Sequence, residues 1–199
     1  MTSFSLTSTL KNLAATAAII AAPLVANAQS LYDAPPTPTS AFIRFIGSDV
    51  AQDLTWRGQH ISFGDYQEGA YIAIESSEIE TDAGNYMTIV ATPGGASIDL
   101  DEVAREQGKV ALQMLNLTDS AVSLTTADDK IMILEAISPN ALSARQINPL
   151  AFSVKVVGED GALGTLDLNI KRGGNPIIVV RMDGSLVVFN SSLAGSANQ

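Results

Sequence analysis

Three observations predict an all-β fold of two tandem small β-sandwich domains, joined by a short linker and related by duplication. Short apolar runs alternate with period 2, Gly- and Pro-marked turns separate them, and one strand–turn–strand segment occurs twice. Ala41, Ile43 and Phe45 alternate with Phe42, Arg44 and Ile46, and Leu166, Leu168 and Ile170 with Thr165, Asp167 and Asn169. Core positions of the second half are therefore Leu112, Met114, Val154, Val156, Leu166, Leu168 and Ile170. Gly84–Val90, a Pro93-Gly94-Gly95 turn and Ala96–Ile98 are echoed by Gly174–Val180, an Asp183-Gly184 turn and Ser185–Val187. Pro93-Gly94 suits the centre of a type II turn, Asp183-Gly184 suits a two-residue hairpin, and Asp160-Gly161 marks another bend.

In chain order, residues 1–28 read as a signal peptide. Lys11 supplies its positive charge, Leu13–Val25 its apolar stretch, and Ala26-Asn27-Ala28 its small-x-small cleavage site before Gln29. The thirteen residues of this stretch reach about 20 Å as a helix, short of the roughly 30 Å a membrane span needs. Residues 29–39 are a Pro-rich lead-in, 40–100 the first domain, 101–107 the linker, 108–190 the second domain, and 191–199 a disordered tail. Only Leu100–Gln107 and Asn140–Gln146 look helical.

Cleavage leaves 171 residues, with 10 basic side chains against 21 acidic ones. That balance disfavours nucleic acid and anionic membrane surfaces, both of which need clustered Lys and Arg. Absence of Cys removes disulfides, thiol nucleophiles and Cys-ligated metals. The charge is uneven: from Asp33 to Glu102 twelve acids face Arg44 and Arg57, whereas from Arg105 onward nine acids face eight bases. Glu78, Glu80 and Asp82 would share one face of a strand near Glu75, a solvated edge rather than a cation site.

Catalytic chemistry finds little support, and no catalytic, metal or cofactor-binding residue is assigned. His60 is the single imidazole. It lies in Gln59–Phe63, an apparent strand, with no Asp placed three residues before it, and reads as an ordinary strand histidine. Trp56 and Tyr66 could stack on a sugar ring, but a lone Trp in a small sandwich reads as core. Asn116-Leu117-Thr118 and Asn190-Ser191-Ser192 match the glycosylation acceptor pattern, which carries little weight in an exported bacterial chain.

Five ordered blocks carry a resemblance. Leu31-Tyr32-Asp33 with Ser40–Arg44, Tyr86–Val90 with Pro93-Gly94-Gly95, Lys109–Leu112 with Asn116-Leu117-Thr118, Thr125–Asp128, and Arg145–Pro149 resemble the AlgF family of periplasmic alginate O-acetylation proteins. The resemblance implies a non-catalytic, cofactor-free adaptor in the periplasm. Its implied partners are an SGNH-type O-acetyltransferase and a membrane-bound acyltransferase, with the polysaccharide as a further candidate; the mature chain would not span the membrane. Tyr32, Arg44, Arg145 and Asn148 are the docking candidates. The alternatives are a carbohydrate-binding module, or the equivalent accessory protein of cellulose acetylation. Arg145–Pro149 is expected to be a turn entering a strand Leu150–Val157, because Pro149 cannot donate to a ladder and holds Asn148 extended.

Overall fold

Ser40–Ile46 and Val110–Asn116 are mostly apolar and buried at nearly every position, and this continuity decides the architecture. The computed structural model describes residues 37–47, 51–63, 67–92, 95–103, 106, 108–172 and 174–190. In the first half these form β1 Ser40–Ile46, β2 Asp53–Trp56, β3 Gln59–Ser62, β4 Ile72–Glu75, β5 Tyr86–Ala91 and β6 Ser97–Asp101. The second half holds β7 Val110–Asn116, β8 Val122–Thr126, β9 Met132–Ile137, β10 Ala141–Ile147, β11 Ala151–Gly158, β12 Gly161–Asn169, β13 Ile177–Val180 and β14 Leu186–Phe189. The fold is all-β, as expected.

Each half is built on the same four-stranded sheet. The order is β4-β1-β5-β6 in the first and β10-β7-β13-β14 in the second. In both, the two central strands run parallel and the outer pairs antiparallel. A parallel pair is stable when both faces are covered, which is what the apolar continuity of β1 and β7 provides. The ribbon β2-β3 covers one face of the first sheet, around Ile43, Phe45, Leu54, Trp56 and Ile89. A second sheet, β12-β11-β8-β9, covers the other half's core, around Leu112, Met114, Leu124, Val154, Val156, Leu168 and Ile178. Six of the seven core positions expected from the sequence belong to this cluster, and Leu166, partly buried, packs against it.

The remaining faces of the two repeated sheets meet each other. Ile46 and Val90 from one side pack with Leu115, Leu117, Ile177 and Val179 from the other, rimmed by Ile98, Leu100, Leu142 and Phe189. The halves thus share an apolar seam. The repeat is real in topology, but its register differs from the sequence echo by one residue. Phe42 N donates to Asn85 O, and the corresponding bond runs from Gln113 N to Pro176 O, so Asn85 matches Pro176 rather than Asn175. A one-residue slip exchanges the two faces of a strand, so the echo alone places core residues on the seam side.

Local expectations fare differently. Asn140–Gln146 is not helical: Ala141–Ile147 is β10, paired residue by residue with β7, and that pairing outweighs helix propensity. Leu100 and Asp101 likewise end β6 rather than begin a helix. Near the acidic run, Ser76–Glu78 forms a 3₁₀ turn and Glu80 takes a positive φ of 50°, so no strand aligns Glu78, Glu80 and Asp82. The β13–β14 hairpin exists, but its loop has three residues. Gly184 N donates to Arg181 O and Arg181 N to Ser185 O, which puts Met182 and Asp183 at the centre and Gly184, at φ +80°, in the bulge position. Pro93-Gly94, the leader with Ala28 and Gln29, Tyr32, Tyr66 and the tail from 191 lie outside the described residues.

Candidate interaction surface

β10 is an edge strand of one second-half sheet and β9 an edge strand of the other. Arg145, exposed on β10, spans the junction: its Nη1 donates to Met132 O at 3.1 Å and Ile133 O at 3.4 Å. The guanidinium thereby covers part of the β9 edge, one way of blunting an exposed strand edge. Beside it Ile131 and Met132 remain 58% and 44% exposed, unusual for large apolar side chains. Arg145–Ile147 therefore belong to β10 rather than to a turn. The turn is Asn148–Leu150, and β11 starts at Ala151. Asn148 is exposed and accepts a hydrogen bond from Lys109 Nζ at 2.9 Å, joining the start of β7 to this connection. The structure brings Arg145 and Asn148 to the end of one edge strand.

Arg44 is placed elsewhere and does something else. It sits at 0% exposure on the seam face of β1, so it presents no surface for a partner in this arrangement, and the expectation that it docks one is corrected. Its Nη2 lies 2.8 Å from Glu102 Oε1, and the two side chains are 0% and 1% exposed. Arg44 Nε donates to Thr88 Oγ1 at 2.8 Å and Nη2 to Gln113 Oε1 at 3.0 Å. Its guanidinium carbon stands 4.8 Å from the centroid of the Tyr71 ring. Glu102 is satisfied in turn by Thr88 Oγ1 at 2.8 Å, Gln113 Nε2 at 2.8 Å and the Tyr71 hydroxyl. Glu102 and Gln113 were invisible as site residues in the sequence. The signal that could have found this cluster is a charged or amide side chain in mid-strand among apolar neighbours, as Arg44 and Gln113 both are.

Other sequence candidates resolve into structure. His60 lies on the ribbon with a 72% exposed side chain, its Nε2 3.6 Å from Asp53 Oδ1. Trp56 is core, and its indole donates to both Asp99 oxygens at 3.0 and 3.1 Å. Asn116, fully buried, donates to Ser120 O at 2.7 Å and Ile137 O at 2.9 Å. Its Oδ1 accepts from Thr118 N and Oγ1. The Asn-Leu-Thr block is thus a side-chain-closed turn after β7. In Thr125–Asp128, Thr126 Oγ1 donates to Asp128 Oδ1 at 2.7 Å within the β8–β9 turn. Lys130 beside Asp128, first, and then Thr126 hold that carboxyl below the usual aspartate range.

Comparison with known proteins settles the family. The family model described as alginate O-acetyl transferase AlgF matches residues 12–176. The chain belongs to the AlgF family. An alginate biosynthesis protein AlgF of Azotobacter vinelandii is 28% identical over 171 residues, covering 85% of this chain and 72% of its own. Its counterpart in Pseudomonas putida is 24% identical over 162 residues, covering 78% and 73%. A solved structure of the C-terminal domain of AlgF from P. aeruginosa is 23% identical with a TM-score of 0.37, covering 42% of this chain and 97% of that one. Four of the five AlgF-like blocks lie wholly or largely on described strands and turns, and Leu31-Tyr32-Asp33 does not.

Proposed function

We propose that this chain is a non-catalytic periplasmic adaptor in alginate O-acetylation, one that docks the acetyltransferase machinery through the β9–β10 edge. The pathway half of this reading rests on membership in the AlgF family and on relatives named for alginate biosynthesis. The adaptor half rests on one observation above all. The single imidazole, His60, stands 72% exposed on a two-stranded ribbon. Acyl transfer by a hydroxyl nucleophile calls for a base held against it and donors aimed at the developing oxyanion, in a site shielded from water. His60 has the wrong setting for that work.

Charge separates docking from direct polymer binding. Alginate is a polyuronate, and a chain of net charge −10 repels a polyanion. The second half, nearly balanced in charge, offers Arg145 beside exposed Ile131 and Met132 instead. An apolar patch rimmed by a forked cation suits a protein surface bearing carboxylates. No helix among the described residues is long and apolar enough to cross a membrane. The deciding experiment combines purified mature chain separately with the pathway's SGNH-type acetyltransferase, with alginate, and with an activated acetyl ester. Saturable binding to the enzyme, with no binding to polymer and no acetyl transfer by the chain alone, is the expected result. Transfer by the isolated chain, or tight binding to polymer only, overturns the adaptor reading.

A further inference from the structure

Glu102 occupies a place that has the construction of a binding site. Four donors from four segments converge on its carboxylate: Arg44 on β1, Tyr71 just before β4, Thr88 on β5, and Gln113 on β7. Arg44, Tyr71, Thr88 and Gln113 are each no more than 2% exposed. Oε1 takes the guanidinium and the Thr88 hydroxyl; Oε2 takes the Gln113 amide and the Tyr71 hydroxyl. Both oxygens are thus doubly bonded to donors of fixed geometry, as in recognition of a carboxylate ligand. The four donors are themselves held in place. Arg44 is braced by the Thr88 hydroxyl and by Gln113 Oε1, and Tyr71 packs edge-on against Tyr86 at 5.1 Å. Three of the donors come from the first half and Gln113 from the second, so the site straddles the seam. Glu102 directly follows β6, where the chain leaves the first half for β7.

We propose that Arg44, Tyr71, Thr88 and Gln113 form a carboxylate receptor which the chain fills with its own Glu102, and that this internal ligand locks the two halves in one orientation. The apolar part of the seam is non-directional and permits sliding; charge-assisted bonds at a single buried point do not. The receptor's ligand class is a small monocarboxylate, because the space that Glu102 fills is one carboxylate with its short stem. This inference stands apart from the adaptor reading, since it concerns what sets the geometry of the chain and not what the chain docks.

Removing the ligand while keeping the receptor provides the test. Glu102→Ala removes the carboxylate that Arg44 pairs with in the interior, and the melting temperature should drop by roughly 6–20 °C. Sodium acetate at about 0.2 M, compared with equal sodium chloride, should recover several degrees of that loss in Glu102→Ala and none in the wild type, because only the variant has a vacant receptor. Gln113→Ala removes one donor and keeps the ion pair. It should fold, and should broaden the distribution of half-to-half orientations read by residual dipolar couplings. No acetate-specific recovery in Glu102→Ala overturns the receptor. Unchanged couplings in Gln113→Ala overturn the lock, and remain readable even if the Ala variant at 102 does not fold.

Discussion

Gly69 lies directly against the ring of Phe189: a Cβ built on Gly69 would come within 2.3 Å of Phe189 Cγ. The contact joins a loop of the first half to β14 of the second. Close by, Glu68 meets Arg181 across the same boundary at 3.6 Å and accepts a hydrogen bond from Gly47 N at 2.7 Å. The seam is therefore held at its rim by packing against bare backbone as well as by the buried bonds of Glu102. Gly69 also has φ +77°, a region that L side chains enter at a cost of about 1–2 kcal/mol. Gly69→Ala combines that strain with a clash against a ring and should destabilise by about 2–5 kcal/mol. Gly58, at φ +78° with nothing within 4 Å of its Cβ position, isolates the strain alone. Gly58→Ala should cost about 1 kcal/mol in urea denaturation. Equal losses for the two substitutions would mean that the Phe189 contact does not form.

Leu168 tests the register of the second half. It is buried in the core from β12 while its neighbours Asp167 and Asn169 face solvent. Leu168→Ala should cost about 2–5 kcal/mol, the usual range for a cavity left by a buried leucine. Leu163, 41% exposed on the same strand, should lose less than about 1 kcal/mol on the same change. Thermal melts of the two variants check both figures.

How far the sequence reached follows from how each strand is covered. β12 was legible because one face is solvated, so its alternation is plain. β1 was only half legible: its period-2 pattern is present, but the face carrying Phe42, Arg44 and Ile46 meets the other half instead of water. No local pattern distinguishes a seam from a solvated face. Asn140–Gln146 misled because helix propensity is local, whereas its pairing with β7 lies across a loop. The candidate site was less legible still. Arg44 and Gln113 are 69 residues apart in sequence and meet only through the packing of two sheets. Arg145 is exposed on β10 rather than in a turn, and its bond to the β9 carbonyls depends on two sheet edges converging.

Asn116 should prove more costly to replace than its place in a turn implies. The amide donates to two backbone carbonyls and accepts from Thr118, all within a fully buried side chain. Asn116→Ala strands those groups without partners, at about 1–3 kcal/mol for each one left unsatisfied. Thr118→Ala removes the hydroxyl that reaches Asn116 Oδ1 and Ser120 O but leaves the amide in place, and should cost about 1 kcal/mol. If the two variants denature at the same midpoint, the turn is not closed by the asparagine.

Acid should loosen the protein below the ordinary carboxylate range. Glu75 is held low by the hydroxyls of Thr37 and then Thr39, Asp129 by Lys155, and Asp183 by Ser185. A carboxyl whose folded pKa is depressed contributes stability above its unfolded value, near 4, and loses it as pH falls through the folded value. The urea midpoint should therefore be flat from about pH 7 to 5 and decline below about pH 4. In Lys155→Met, the Asp129 resonance should titrate at a higher pH than in the wild type. An unmoved titration would show that Lys155 is not what holds that carboxylate ionised.

Arg145 lies near the end of β10 and Asn148 in the turn that follows it, and replacing each separates structure from docking. Arg145 donates to two carbonyls of β9 but stays exposed, so water can replace those bonds in Arg145→Ala. The stability loss should be about 1 kcal/mol. Asn148 accepts one exposed bond from Lys109, and Asn148→Ala should cost about as little. Partner binding divides them. A forked guanidinium can bind a carboxylate on the acetyltransferase with two parallel bonds, which an ammonium cannot reproduce. Arg145→Ala and Arg145→Lys should both weaken capture of that enzyme by the mature chain, the Lys variant less. The melting temperature of each should stay within a few degrees of the wild type. Ile131→Ser, which removes the exposed apolar neighbour and leaves the charge, should weaken capture as well. Undiminished capture by all three variants would assign Arg145 to closing the β9–β10 edge alone and move the docking face elsewhere on the chain.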